Sequence, residues 1–168
     1  MTGSARPVRI EPGPGQESVW DYPRPPRIEA ARQVLRVELA RVTLAETVHG
    51  LRVLETGSPP TYYFPPDDVR VDLLEPSPVR TICEWKGVAR HWNARVGERL
   101  VEEAAWSYRD PKPGFEPIAG YLAFYAGKMD SCWVGTEKAI PQPGSYYGGW
   151  ITSRIVGPFK GVEGTDRW

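Results

Sequence analysis

The chain of 168 residues suits one domain, and at that size a domain buries roughly 70% of the surface its unfolded chain exposes, so neither metal nor disulfides are needed for a core. Its 21 basic and 21 acidic side chains cancel, which removes the broad positive field that non-specific nucleic-acid binding uses; sixteen of the 21 basic residues are Arg, leaving five Lys. No stretch approaches the roughly 20 apolar residues of a membrane span, and the start MTGSARPVRIEPGPG lacks the apolar segment of a signal peptide, so the expected compartment is the cytoplasm and no membrane partner is expected.

Residues 1–16, rich in Gly, Pro and Arg, read as a flexible arm, and the domain is expected to run from 17 to 140. In ESVWDYPRPPRIE, Pro23, Pro25 and Pro26 exclude a helix and hold the chain extended, displaying Trp20, Tyr22 and Arg24. QVLRVELA alternates, with Leu35, Val37 and Leu39 on one face, as a half-buried strand does. VTLAET and LRVLET are two further short strands. TGSPPTYYFPP reads as a loop carrying three consecutive aromatics, because its Pro and Gly content argues against regular structure. DVRVDLL alternates again, and VRTICEWKG leads into VARHWNARV as a strand pair turning near Gly87. LVEEAAWSY fits one helical turn or a strand equally, whereas IAGYLAFYAG and SCWVG read as late strands. The last segment, residues 141–168, returns to Pro, Gly and aromatics and reads as an ordered arm laid over the domain. The fold class is therefore mainly β, a compact twisted-sheet domain with little helix.

Cys83 and Cys132 show no C-x-x-C spacing and read as free, buried thiols. A structural zinc site normally takes four Cys or His ligands, and His49 and His91 are the only histidines, so neither a metal nor another cofactor is expected. The pair Cys83 and His91 lacks an orienting carboxylate or an activating helix N-terminus, and it reads as structural rather than catalytic. Neither G-x-x-x-x-G-K-[ST] nor G-x-G-x-x-G occurs.

In order along the chain, ESVWDYPRPPRIE, LET with PPTYYFPPDDV, CEWKGVARHW, AAWSY and IAGYLAFY resemble the DUF427 family, which has been labelled nucleotidyltransferase-like. GGWITSRIVGPFKG resembles a C-terminal extension carried by a subset of it. The resemblance implies a β-tent or Mss4-like arrangement, with sheets meeting at an angle around a pocket. The nucleotidyltransferase label fits these residues poorly. On a strand, Asp68 and Asp72 would share a face about 13 Å apart at some 3.3 Å per residue, too far for metals about 4 Å apart, while Asp67 and Asp68 would point to opposite faces.

Trp20, Tyr22, Tyr62, Tyr63, Trp85, Trp92, Trp106, Tyr108 and Tyr125 all lie in these motifs. Rings of this kind fill cores, but they also stack on planar ligands or cage cations when they line a cleft. Lys86 and Arg24 suit a phosphate or carboxylate, and Glu55 can accept a hydrogen bond from a base or a ribose hydroxyl; the bland alternative is a structural ion pair among the three. The candidate binding set is thus Trp20, Tyr22, Arg24, Glu55, Tyr62, Tyr63, Trp85, Lys86, Trp92, Trp106 and Tyr125. It points to a small-molecule binding module for a planar, nucleotide-like or otherwise anionic ligand. An enzyme of unrecognised mechanism and a protein-interaction scaffold using the C-terminal arm are the alternatives. A small molecule is the expected partner, nucleic acid is disfavoured, and a homodimer is left open.

Overall fold

The computed structural model describes residues 7–144, 146–162, 164, 165 and 168. Its strands run β1 (Glu17–Ser18), β2 (Arg27–Ala30), β3 (Leu35–Leu39), β4 (Val42–Thr47), β5 (Leu51–Leu54), β6 (Thr61–Tyr63), β7 (Leu74–Cys83), β8 (Gly87–Val96) and β9 (Arg99–Ser107). They continue through β10 (Leu122–Phe124), β11 (Ser131–Val134), β12 (Glu137–Lys138), β13 (Ile140–Pro141), β14 (Trp150–Ile151) and β15 (Ile155–Val156). The helices among the described residues are single 3-10 turns of three residues. The protein is therefore mainly β, and no helix among the described residues is long and apolar enough to cross a membrane.

The alternating run at Leu35 behaves as its pattern requires, because Leu35, Val37 and Leu39 are fully buried while Arg36 and Glu38 are not. Its sheet has the order β12-β11-β3-β4. The turn from β3 to β4 is two residues, Ala40 and Arg41, both at positive φ (49° and 65°), the form a tight hairpin favours. Neither residue is the Gly or Asn that such a turn prefers. The Ala40 amide instead donates to Asp130 Oδ2 at 2.7 Å, and Asp130 also pairs with Arg99.

A second sheet has the order β10-β9-β8-β7 and a third the order β2-β5-β6. They are joined where the Phe64 and Leu122 amides each donate to the other's carbonyl, at 2.8 and 2.9 Å. The stretch TYYFPP, which the sequence presents as an irregular loop, is thus the strand at this junction. Thr61–Tyr63 pairs with β5, and the flanking prolines lie just outside the paired residues. LVEEAAWSY is strand β9, bent at Glu103, which sits at φ 46° and donates its amide to Asn93 Oδ1. The register with β8 shifts there, between Trp92 and Ala94, so the segment carries a bulge. The long strand β7 forms the free edge of its sheet. Pro76 and Pro78 and a register shift between Pro76 and Arg80 interrupt its ladder, as edge strands tolerate.

The main core lies between the β3 sheet and one face of the joined sheets. Its centre is Trp150, fully buried, with its ring 5.1 Å from that of Tyr62 and its indole N–H donating to the Phe124 carbonyl at 3.0 Å. Trp150 comes from the C-terminal segment, so that arm enters the core. At the other end of the chain, Arg9 pairs with Asp21 and the Ile10 amide donates to the Gly157 carbonyl; residues 1–6 of the expected arm lie outside the described residues. Trp150→Ala should lower the unfolding free energy by about 3–5 kcal/mol in urea titrations. Trp150→Phe should cost less, roughly 1–3 kcal/mol, chiefly from leaving the Phe124 carbonyl without its donor.

Candidate functional site

In the joined sheets, strand parity sends alternate side chains to opposite faces. Val53, Tyr63, Ala123, Trp106, Ala89 and His91 fall on the inner face, while Tyr62, Phe64, Leu122 and Ala105 fall on the side of the main core. The sheet curls over its inner face, enclosing a cavity of about 160 Å³ bounded by β5, β6, β7 and β9. Its walls are aromatic. Tyr63 meets Trp106 edge-on at 6.2 Å, and the Trp106 indole N–H donates to the Tyr63 hydroxyl at 3.2 Å. The Tyr125 ring lies 4.5 Å from that of Trp106, and Tyr108 completes the floor. Burial raises the Tyr108 phenol above its ordinary value and pushes that of Tyr125 up to about 12, so both are neutral hydrogen-bonding groups at physiological pH.

The polar groups in the cavity are few. Lys86 follows the tip of the β7–β8 hairpin and folds its side chain back over the cavity, with Nζ 5.9 Å above the Tyr108 ring. Burial acts to lower its pKa, but Tyr63, Cys83 and Glu55 face the ammonium and hold it above the ordinary value overall. No carboxylate lies within ion-pairing distance of Lys86 among the described residues. Glu55 is at the end of β5, and Cys83 and Thr81 project inward from β7. The closing wall comes from the C-terminal segment through Gln142, Tyr146, Tyr147 and Gly148. Gly148 is required by contact, since a Cβ there would fall 2.1 Å from Trp106 Cη2. Gln142 fixes that wall by donating to the Lys160 carbonyl at 2.7 Å and accepting from the Gly149 amide at 3.0 Å.

Five residues of the sequence-derived set meet in this cavity: Glu55, Tyr63, Lys86, Trp106 and Tyr125. The others lie elsewhere. Tyr62 points the opposite way from Tyr63 and packs on Trp150. Trp20 donates to the Pro158 carbonyl at 2.8 Å and meets Trp168 edge-on, and Tyr22 is buried beside Leu54 and Ile155. Arg24 donates to the carbonyls of Thr56 and Trp168. These three residues hold the C-terminal segment against the domain. Trp85 packs at the hairpin tip against the second cluster, outside the cavity lining, and Trp92 is on the opposite face of the sheet. Glu55, Lys86 and Arg24 form no ion pair with one another among the described residues. The cavity also contains residues outside the set. Tyr108 is one, in the AAWSY motif; Cys83 is another, half-buried in the wall rather than buried as its sequence context suggests. The C-terminal wall has no local sequence signal.

The carboxylates weighed for metal binding are committed elsewhere. Asp68 accepts from Thr47 Oγ1 at 2.7 Å, Asp72 pairs with Arg70, and among the described residues no three Asp, Glu, His or Cys side chains converge on a metal-sized space.

The model of DUF427, a domain of unknown function, matches residues 27–135. The chain belongs to the DUF427 family. A comparison with curated proteins found no match. Every wall of the cavity except the C-terminal one falls within the matched segment of the family.

Two outcomes test this geometry. Burial pushes the Cys132 thiol up to about 12 and leaves it 1% exposed, so iodoacetamide should alkylate Cys83 in the native protein and reach Cys132 only after unfolding, as read by peptide mass spectrometry. His91 lies behind the cavity, its Nε2 2.9 Å from Thr81 Oγ1 and its buried Nδ1 without a hydrogen-bond partner among the described residues, and burial lowers its pKa below the usual value near 6.5. The unfolded chain therefore takes up a proton that the folded one resists. Stability should be intact above pH 6.5 and fall as the pH drops below it, and His91→Gln should remove that part of the slope in urea titrations.

Proposed function

We propose that the protein binds a small planar anionic ligand, or the anionic end of a larger one such as a nucleotide, in the cavity on the inner face of the sheet. The observation that carries this reading is Lys86, a cation held over an aromatic floor with no carboxylate paired to it among the described residues. Desolvating an ammonium is costly unless an anion or acceptors compensate, and a bound phosphate or carboxylate would do so through a charge-assisted hydrogen bond. Tyr108 and Tyr125 supply neutral donors beside it. The volume of about 160 Å³ falls short of the about 300 Å³ at which typical ligand pockets begin, which favours one ring or one anionic group inside and the remainder of the ligand at the mouth.

A thermal-shift screen of phosphate- and carboxylate-bearing metabolites should return ligands whose affinity falls roughly ten- to a hundredfold in Lys86→Ala, about 1.5–3 kcal/mol, with the melting temperature of the free protein nearly unchanged. The same ligands should shield Cys83 from iodoacetamide. Anionic ligands that bind Lys86→Ala as tightly as the parent protein would refute this reading. An enzyme acting on such a ligand is the second reading, favoured by the Cys83 thiol facing Lys86 across the same cavity. It predicts that Cys83→Ser retains binding and loses turnover. An exposed apolar patch at Trp150 and Phe159 would favour a scaffold using the C-terminal arm, but Trp150 is fully buried and Phe159 packs against the third core cluster, so that feature lends the scaffold reading no support.

A further inference from the structure

We propose that the opposite face of the same sheet holds a second, independent ligand site, which takes a compact carboxylate with an aromatic or branched apolar body. Parity on β8, β9 and β10 directs Arg90, Trp92, Ser107 and Leu122 away from the inner cavity. On that side lies a cavity of about 310 Å³, within the range of small-molecule pockets, walled by Trp92, Leu74, Leu122, Pro66 and Val71. The apolar walls would bury the body of the ligand. Trp92 is fixed in place, because its indole N–H donates to Ser107 Oγ at 2.9 Å, and the Ser107 hydroxyl hydrogen is thereby free to be donated into the cavity.

The charge at this face is one-sided. Arg90 and Arg109 both line the cavity, and among the described residues neither has an ion pair or a side-chain hydrogen bond. The residue directly across the strand pair from Arg90 is Arg80, whose guanidinium donates to the carbonyls of Ser77 and Val79 and not to a carboxylate. Like charges placed directly opposite on a ladder oppose strand pairing, and among the described residues no carboxylate forms an ion pair with either of them. An oxyanion bridging Arg90 and Arg109 would relieve that repulsion and use the planar donor geometry of guanidinium groups, which binds carboxylates two bonds at a time. The site shares no lining residue with the Lys86 cavity, so it stands whether or not that cavity binds anything.

The test uses the full chain and indole-3-acetate as the probe, followed through the Trp indole N–H signals in ¹H–¹⁵N spectra, with the Trp92 signal assigned from Trp92→Phe. The expected result is a saturable shift of the Trp92 signal, at least tenfold weaker binding in the Arg90→Gln/Arg109→Gln double variant, and unchanged binding in Lys86→Ala. Indole-3-acetamide, which keeps the body and loses the charge, should bind at least tenfold more weakly to the parent protein, a comparison that needs no variant to fold. Equal affinity for acid and amide, a Trp92 signal that does not move, or binding lost in Lys86→Ala and kept in the double Arg variant would each overturn the proposal.

Discussion

Two reciprocal backbone hydrogen bonds, between Phe64 and Leu122, turn a three-stranded and a four-stranded sheet into one surface, and the placement of the strand-borne side chains that line the inner cavity follows from that joint. Once β6 is continuous with β10, side chains from Val53 on β5 to Cys83 on β7 share a single alternation. One face must then be covered by the main core, with Phe64, Phe124 and Trp150 at its centre, and the other curls around Trp106. A slip of one residue at the joint would turn Tyr62 and Phe64 out of the main core to the inner face and put Tyr63 in their place. The register is held against that slip by Trp150, whose indole N–H donates to the carbonyl of Phe124, the last residue of β10.

This explains why aromatic count was a poor guide to the site. The run Tyr62, Tyr63, Phe64 looks like one cluster in the sequence, but on a strand it divides, with Tyr62 and Phe64 packing on Trp150 and Tyr63 turning to Trp106. The prolines on either side favour an irregular reading, yet they stand beyond the paired residues, where a missing N–H costs the ladder nothing. Trp20 and Arg24 lie outside the cavity lining as well. Both sit in a motif that resembles the family, and both bind backbone carbonyls of segments more than thirty residues away in sequence, Arg24 at Thr56 and Trp168 and Trp20 at Pro158. No local pattern encodes such partners.

What was legible was legible for physical reasons. The period-two burial of Leu35, Val37 and Leu39 is written directly in the hydrophobic alternation, and the β7–β8 hairpin is marked by Gly87, which adopts φ 109°. Lys86 follows Trp85 at the strand end, and it lines the inner cavity. The turn at Ala40 and Arg41 could not be read, since the usual Asn-Gly signal is replaced by a hydrogen bond to Asp130, ninety residues away. Nor could β9, where the bulge at Glu103 breaks the alternation and leaves Ala104, Ala105, Trp106 and Ser107 all buried in succession, a pattern that suits a helix as well as a strand.

The C-terminal segment gives the inner cavity its shape, and it does so through steric requirement rather than through charge. Gly148 lies so close to the Trp106 ring that no side chain fits between them, and Gly149 is similarly pressed against Gln142 and Pro59. The family segment supplies the aromatic floor and Lys86, but those groups line an open trough until Gln142, Tyr146, Tyr147 and Gly148 are laid across it. The positive charge of the cavity therefore comes from Lys86, set beside neutral tyrosines, whereas the width of the opening depends on how closely two glycines let the last segment approach. The two properties are carried by different parts of the chain, so the closing wall can change the shape of the opening without altering the electrostatics of the floor.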